Sequence, residues 1–98
     1  MSLKNLASYW QNVEILLNQN DEMFIICGDY NDSHDNNLPK RRLGICWADY
    51  PKIRGVLAPV VIQKDIGKII LSGLMSKAIL ENDTKLQEKI NNCLKTIE

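Results

Sequence analysis

The sequence is poor in the groups that usually advertise chemistry. It holds one histidine (His34), three cysteines and three prolines among 98 residues, and its formal net charge is zero. Cys27, Cys46 and Cys93 show no CxxC spacing, and with a single histidine they cannot supply the paired ligands of a structural zinc site. No run of about 18 apolar residues occurs, which excludes a membrane-spanning helix, and no apolar leader segment opens the chain. A neutral balance argues against a general polyanion binder, whose affinity rests on an excess of positive charge. Cys27 and Cys46 inside apolar runs and Cys93 on the apolar face of a helix fit reduced, buried thiols and a cytoplasmic setting.

What is present is ordinary globular composition, 45% hydrophobic and 24% charged. Ninety-eight residues suit a single domain over 1–98. A chain this short buries only roughly 60–70% of the surface its unfolded form exposes, so its stability margin is thin and a homodimer would widen it. Isoleucine, asparagine and lysine are abundant while arginine is scarce, as in proteins from AT-rich bacterial or phage genomes. The neutral average also hides a local polarity. Residues 1–39 carry a net charge of −5, residues 40–55 of +4 and residues 56–98 of +1.

Hydrophobic spacing predicts the elements. Leu3, Leu6, Ala7, Trp10, Val13 and Leu17 recur at helical intervals, so a helix is expected over 3–18, ended by the turn chemistry of Asn18–Asp21. Met23–Gly28 is a continuous apolar run, too short for a helix, and reads as a buried strand. A polar loop, 29–42, follows. Leu43–Ala48 alternates large and small residues, giving a strand whose Gly44, Cys46 and Ala48 side admits close approach by another element. Val56–Ile62 is a third strand, with Pro59 placing it at an edge or at a bulge. Two helices end the chain. The first runs from an Asp65 cap to Glu81, its core stripe being Ile66, Ile69, Ile70, Gly73, Leu74 and Ala78, widened by Leu71, Met75 and Ile79. The second opens at Thr84, spaced from Gln87 as a capping box, with the stripe Leu86, Ile90, Cys93, Leu94 and Ile97. The expected fold is α+β, in the order α-β-β-β-α-α, a three-stranded antiparallel sheet with helices packed on one face and one shared interior.

Three constellations bear on function. The loop Asp29–Asp35 is rich in oxygen ligands, but tested as an EF-hand it has His34 where glycine is needed and Lys40 where a bidentate glutamate is needed. A solvated turn is the better reading, and no metal or cofactor is expected. His34 with Asp29, Asp32 or Cys27 would be the centre of a small enzyme, yet neither Cys27 nor Cys46 carries a nucleophile motif. No catalytic residue is assigned. The basic hairpin 40–54 gathers Lys40, Arg41, Arg42, Trp47, Tyr50, Lys52 and Arg54 as candidate binding residues, types that grip phosphates and stack on bases and that also enrich protein interfaces. The stretch 40–62 is similar in a general way to segments of small bacterial and mobile-element proteins, a likeness that implies no activity.

These features point to an interaction module whose partner is another protein or a second copy of the chain. The alternatives are a nucleic-acid-binding regulator using the hairpin, and the small enzyme around His34.

Overall fold

A computed structural model describes residues 6–31 and 39–98. Among the described residues eight elements follow one another: β1 (Trp10–Gln19), β2 (Met23–Tyr30), β3 (Lys40–Trp47), β4 (Lys52–Ile53), β5 (Val56–Leu57), β6 (Val60–Ile62), α1 (Lys64–Leu80) and α2 (Thr84–Thr96). The class is α+β, as the hydrophobic spacing implied. The order is not. Four antiparallel strands form the main sheet in the order β1-β2-β3-β6, and β4-β5 make a separate two-stranded ribbon.

From Trp10 onward the expected first helix is a strand, and its bulges explain the error. Between Gln11 and Glu14, and again between Ile15 and Leu17, β1 holds one residue more than its partner β2. Asn12 supports the first bulge with a left-handed φ of 51°. Each extra residue shifts the side-chain alternation by one. Trp10, Val13 and Ile15 therefore share one face of the sheet, while Leu16 and Leu17 pack on the other. A period of two, interrupted twice, mimics the spacing of a helix.

The single strand expected over 56–62 is divided at Pro59, which has no amide to donate. Its first part turns back on β4 through Arg54 and Gly55, both at positive φ, in a two-residue hairpin. Its second part lies at the sheet edge, pairing Val60, Val61 and Ile62 with Ile45, Gly44 and Leu43.

The interior is double rather than shared. On one face Leu16, Ile25, Cys27 and Leu43 meet Leu71, Leu74 and Ala78 of α1 and Ile90 and Cys93 of α2. On the opposite face Trp10, Phe24, Ile26, Cys46 and Leu57 form a second cluster. A strand contributes to both through its alternation: Ile25 and Cys27 go to the helices, Phe24 and Ile26 to the other side. The small-residue side of β3 does admit a neighbour. A Cβ on Gly44 would stand 2.8 Å from Trp10 Cη2, and one on Gly28 would stand 2.8 Å from Val13 Cγ2 and 3.1 Å from Trp10 Cε3. The indole lies flat across two glycines on adjacent strands. The segment before β1 closes this face further, Ala7 donating its amide to the Leu57 carbonyl at 2.8 Å.

The helices cap differently from expectation. Gln63, not Asp65, is the N-cap of α1, and Asp65 sits in the first turn, where a carboxylate favours the helix dipole. Asp83, not Thr84, caps α2, its carboxylate accepting from the Leu86 amide at 3.0 Å. The stripe of α2 is as the spacing implied, with Ile90, Cys93 and Ile97 buried. That of α1 is not. Only Gly67, Leu71, Leu74 and Ala78 are buried, while Ile66, Ile69, Ile79 and Leu80 are 52, 72, 56 and 84% exposed.

Candidate functional site

The seven basic and aromatic residues of the expected hairpin do not form one patch. Arg41 and Arg42 are neighbours on a central strand and so point to opposite faces. Arg41 turns toward β1, where its guanidinium donates to the Asn12 carbonyl at 2.8 Å and meets Asp29 and Glu14 at 3.3 Å each. Arg42 donates to the Glu98 carbonyl at the chain end. Lys40 is half-buried opposite Tyr30. Trp47 and Tyr50 stand together at the far end of β3, ring centroids 6.2 Å apart, and Lys52 and Arg54 are exposed on the ribbon. Of the expected loop 29–42, Asp29 and Tyr30 instead end β2 and Lys40–Arg42 open β3, and Asp29 is held by Asn12 and Arg41. Asp32, Ser33, His34 and Asp35 lie outside the described residues, as do any contacts of His34 with Cys27.

A different group comes together instead. A cleft of about 180 Å³ opens between the sheet and α2. Its deep wall is Cys27 of β2 and Cys93 of α2, which are 2 and 3% exposed. Glu14 and Arg41 border it from the strands, and Lys89, Asn92 and Thr96 from α2. The two sulfurs are 2.7 Å apart, the Cys93 thiol donating to Cys27 Sγ. All three cysteines of the chain are free.

The geometry follows from local pattern. Cys27 faces the helices because it lies two residues from Ile25 on β2, and Cys93 does so because it lies three residues from Ile90 on α2. Arg41 reaches Cys27 because Asp29 and Arg41 are paired across β2 and β3, one step beyond Cys27 and Leu43 on the same face. The first bulge brings Glu14 opposite Cys27.

The electrostatics separate the two thiols. The hydrogen bond from Cys93 stabilises a thiolate on Cys27, burial opposes it, and the Arg41 guanidinium favours it; the net effect lowers the Cys27 pKa. Cys93, which donates that bond and is buried, is driven the other way. Burial of Arg41 works against its charge, but the Cys27 thiolate, Asp29 and Glu14 together outweigh it and raise its pKa. Cys46, on the opposite face, has no such partner and is pushed up to about 11 by burial. Only on the helix face is a thiol prepared to ionise.

Sequence reasoning placed Cys27 and Cys93 in apolar surroundings and missed that they meet. They are 66 positions apart on different elements, and no local pattern joins them. Arg41 was nearer to reach: extending the alternation of Leu43 and Ile45 back by two residues puts it on the helix face. Compared with known proteins, the chain matches no family model, no curated protein and no solved structure.

Proposed function

We propose that the chain is a small cytoplasmic interaction module that pairs with a second copy of itself through the outer face of α1. One observation carries this reading: Ile66, Ile69, Ile79 and Leu80 are apolar, exposed and on one helix. Ile66, Ile69, Gly73, Ser76 and Leu80 follow a 3-4-3-4 spacing, the seam of a helix that packs on another helix. A Cβ on Gly73 would meet nothing within 4 Å, so a second backbone can approach closely there.

The seam is self-complementary about Gly73. Ile66 and Leu80 lie seven residues to either side, so an antiparallel two-fold crossing sets Ile66 of one copy against Leu80 of the other. That direction sets the two helix dipoles against each other head to tail. The free thiols suit a reducing compartment, and among the described residues no helix is long and apolar enough to cross a membrane.

Sedimentation equilibrium at micromolar concentration tests the reading. The wild type should sediment as a dimer, and Ile69→Glu, at an exposed position, should yield a folded monomer. A wild type that stays monomeric ends the proposal. The nucleic-acid alternative has less support, since Arg41 and Arg42 already have protein partners. Salt-sensitive retardation of DNA or RNA, weakened by Lys52→Ala with Arg54→Ala, would restore it.

A further inference from the structure

We propose that Cys27 and Cys93 form a peroxide-sensing dithiol, in which hydrogen peroxide entering the cleft beside Arg41 oxidises Cys27 and Cys93 resolves the product to an intramolecular disulfide. Three observations carry it together. The sulfurs lie 2.7 Å apart and must close by only roughly 0.7 Å to reach a disulfide bond length. Both cysteines line a cleft, so an oxidant has a path to them. Arg41 stands beside Cys27, fixed by Asn12, Asp29 and Glu14, where it favours the thiolate over the thiol.

The chemistry balances. The Cys27 thiolate attacks one oxygen of hydrogen peroxide; a sulfur–oxygen bond forms and the oxygen–oxygen bond breaks. The departing hydroxide takes the proton that Cys27 gave up, leaving as water and a sulfenic acid on Cys27. The Cys93 sulfur then attacks the Cys27 sulfur, the sulfur–oxygen bond breaks, and hydroxide leaves with the Cys93 proton as a second water. Two thiols lose two electrons to the peroxide, and one sulfur–sulfur bond results.

Size selects the oxidant. With each cysteine at most 3% exposed, a bulky disulfide cannot bring its own sulfur in line with Cys27. Hydrogen peroxide is hardly larger than water. Metal capture is less suited to the site: among the described residues no three histidine, cysteine, aspartate or glutamate side chains gather as ligands. The product has a structural consequence, because the new bond ties α2 to β2 across 66 residues of chain. Oxidation would staple the terminal helix to the sheet.

The test uses the full chain, reduced and freed of reductant. One equivalent of hydrogen peroxide should remove two hydrogens from the intact mass, and peptide mapping should join Cys27 to Cys93 with Cys46 still a thiol. The disulfide should form at least about tenfold faster with hydrogen peroxide than with oxidised glutathione at equal concentration, and the oxidised protein should melt at a higher temperature. In Cys93→Ser, dimedone should trap a sulfenic acid on Cys27. Cys46→Ser keeps Cys27, Arg41 and Cys93 and should still form the bond. Random modification of the three cysteines in the wild type, or glutathione adducts forming faster than the disulfide, would overturn the proposal without depending on any variant's folding.

Discussion

Two apolar surfaces of this protein meet opposite fates. The face of the sheet away from the helices is closed by its own chain, with Trp10 laid over Gly28 and Gly44 and the β4-β5 ribbon and preceding segment packed around it. The outer face of α1 is left bare, although its residues are as apolar. Composition does not distinguish them. What differs is whether a flanking segment has the length and the right bulges to fold back, and on that difference rests the reading that α1 keeps its surface for another copy.

The sharpest way to break the comparison is truncation on each surface. Trp10→Ala should cost about 3–5 kcal/mol in urea unfolding, as removal of a buried aromatic does. Leu80→Ala, at 84% exposed, should change the stability of the isolated chain by less than about 0.5 kcal/mol. Similar losses at the two sites would mean that the surfaces are not different in kind.

Glycine gives a finer contrast. Gly44→Ala drives a methyl into the indole, 2.8 Å from Trp10 Cη2, and should destabilise by about 1–3 kcal/mol. Gly73→Ala meets open space on a helix and should stabilise the chain by about 0.5–1 kcal/mol, measured at concentrations below association. The same substitution should thus carry opposite signs. Asp83→Ala removes the cap that starts α2 and should cost about 1 kcal/mol, with melting of the two helices remaining coupled.

A pH-dependent effect tests how dry the second face is. Cys46 is fully buried there, with its pKa pushed up to about 11. A raised folded-state pKa stabilises the protein while the thiol is neutral, and that contribution fades as pH rises from the unfolded value toward 11. Denaturation between pH 8 and 11 should therefore show stability falling by up to about 2–3 kcal/mol from this group, with a shallower slope in Cys46→Val. An equal slope in both proteins would place water against the thiol.

The elements that the sequence displayed well are those with an unbroken period. β2 is a continuous apolar run, the Leu43–Ala48 alternation shows its small side, and α2 keeps one stripe that is fully used. Pro59 pointed to an edge or a bulge, and β6 does lie at the sheet edge, although the strand also divides there. β1 was illegible because its first bulge stretches the interval between Trp10 and Val13 to three, and its second sends Leu17 to the other face at the spacing where a helix would repeat, so that Trp10, Val13 and Leu17 counterfeit a helical face. The α1 stripe was read too generously, since periodicity records which residues are apolar and cannot record which of them the chain will cover. The cleft lay further out of reach. Cys27, Arg41 and Cys93 occupy three elements, and only strand register and helix docking bring them together. Charge segregation in the sequence is real, and among the described residues Arg41 meets Glu14 and Asp29 across it while Lys52 and Arg54 stay exposed on the ribbon.

Isotope-filtered NMR on an equal mixture of labelled and unlabelled chains examines the bare face of α1 most directly. Contacts between the methyls of Ile66 in one copy and Leu80 in the other are the result expected from an antiparallel crossing at Gly73. If the mixture yields no intermolecular contacts at millimolar concentration, or only contacts from the β4-β5 ribbon, then α1 is not where this protein meets its like.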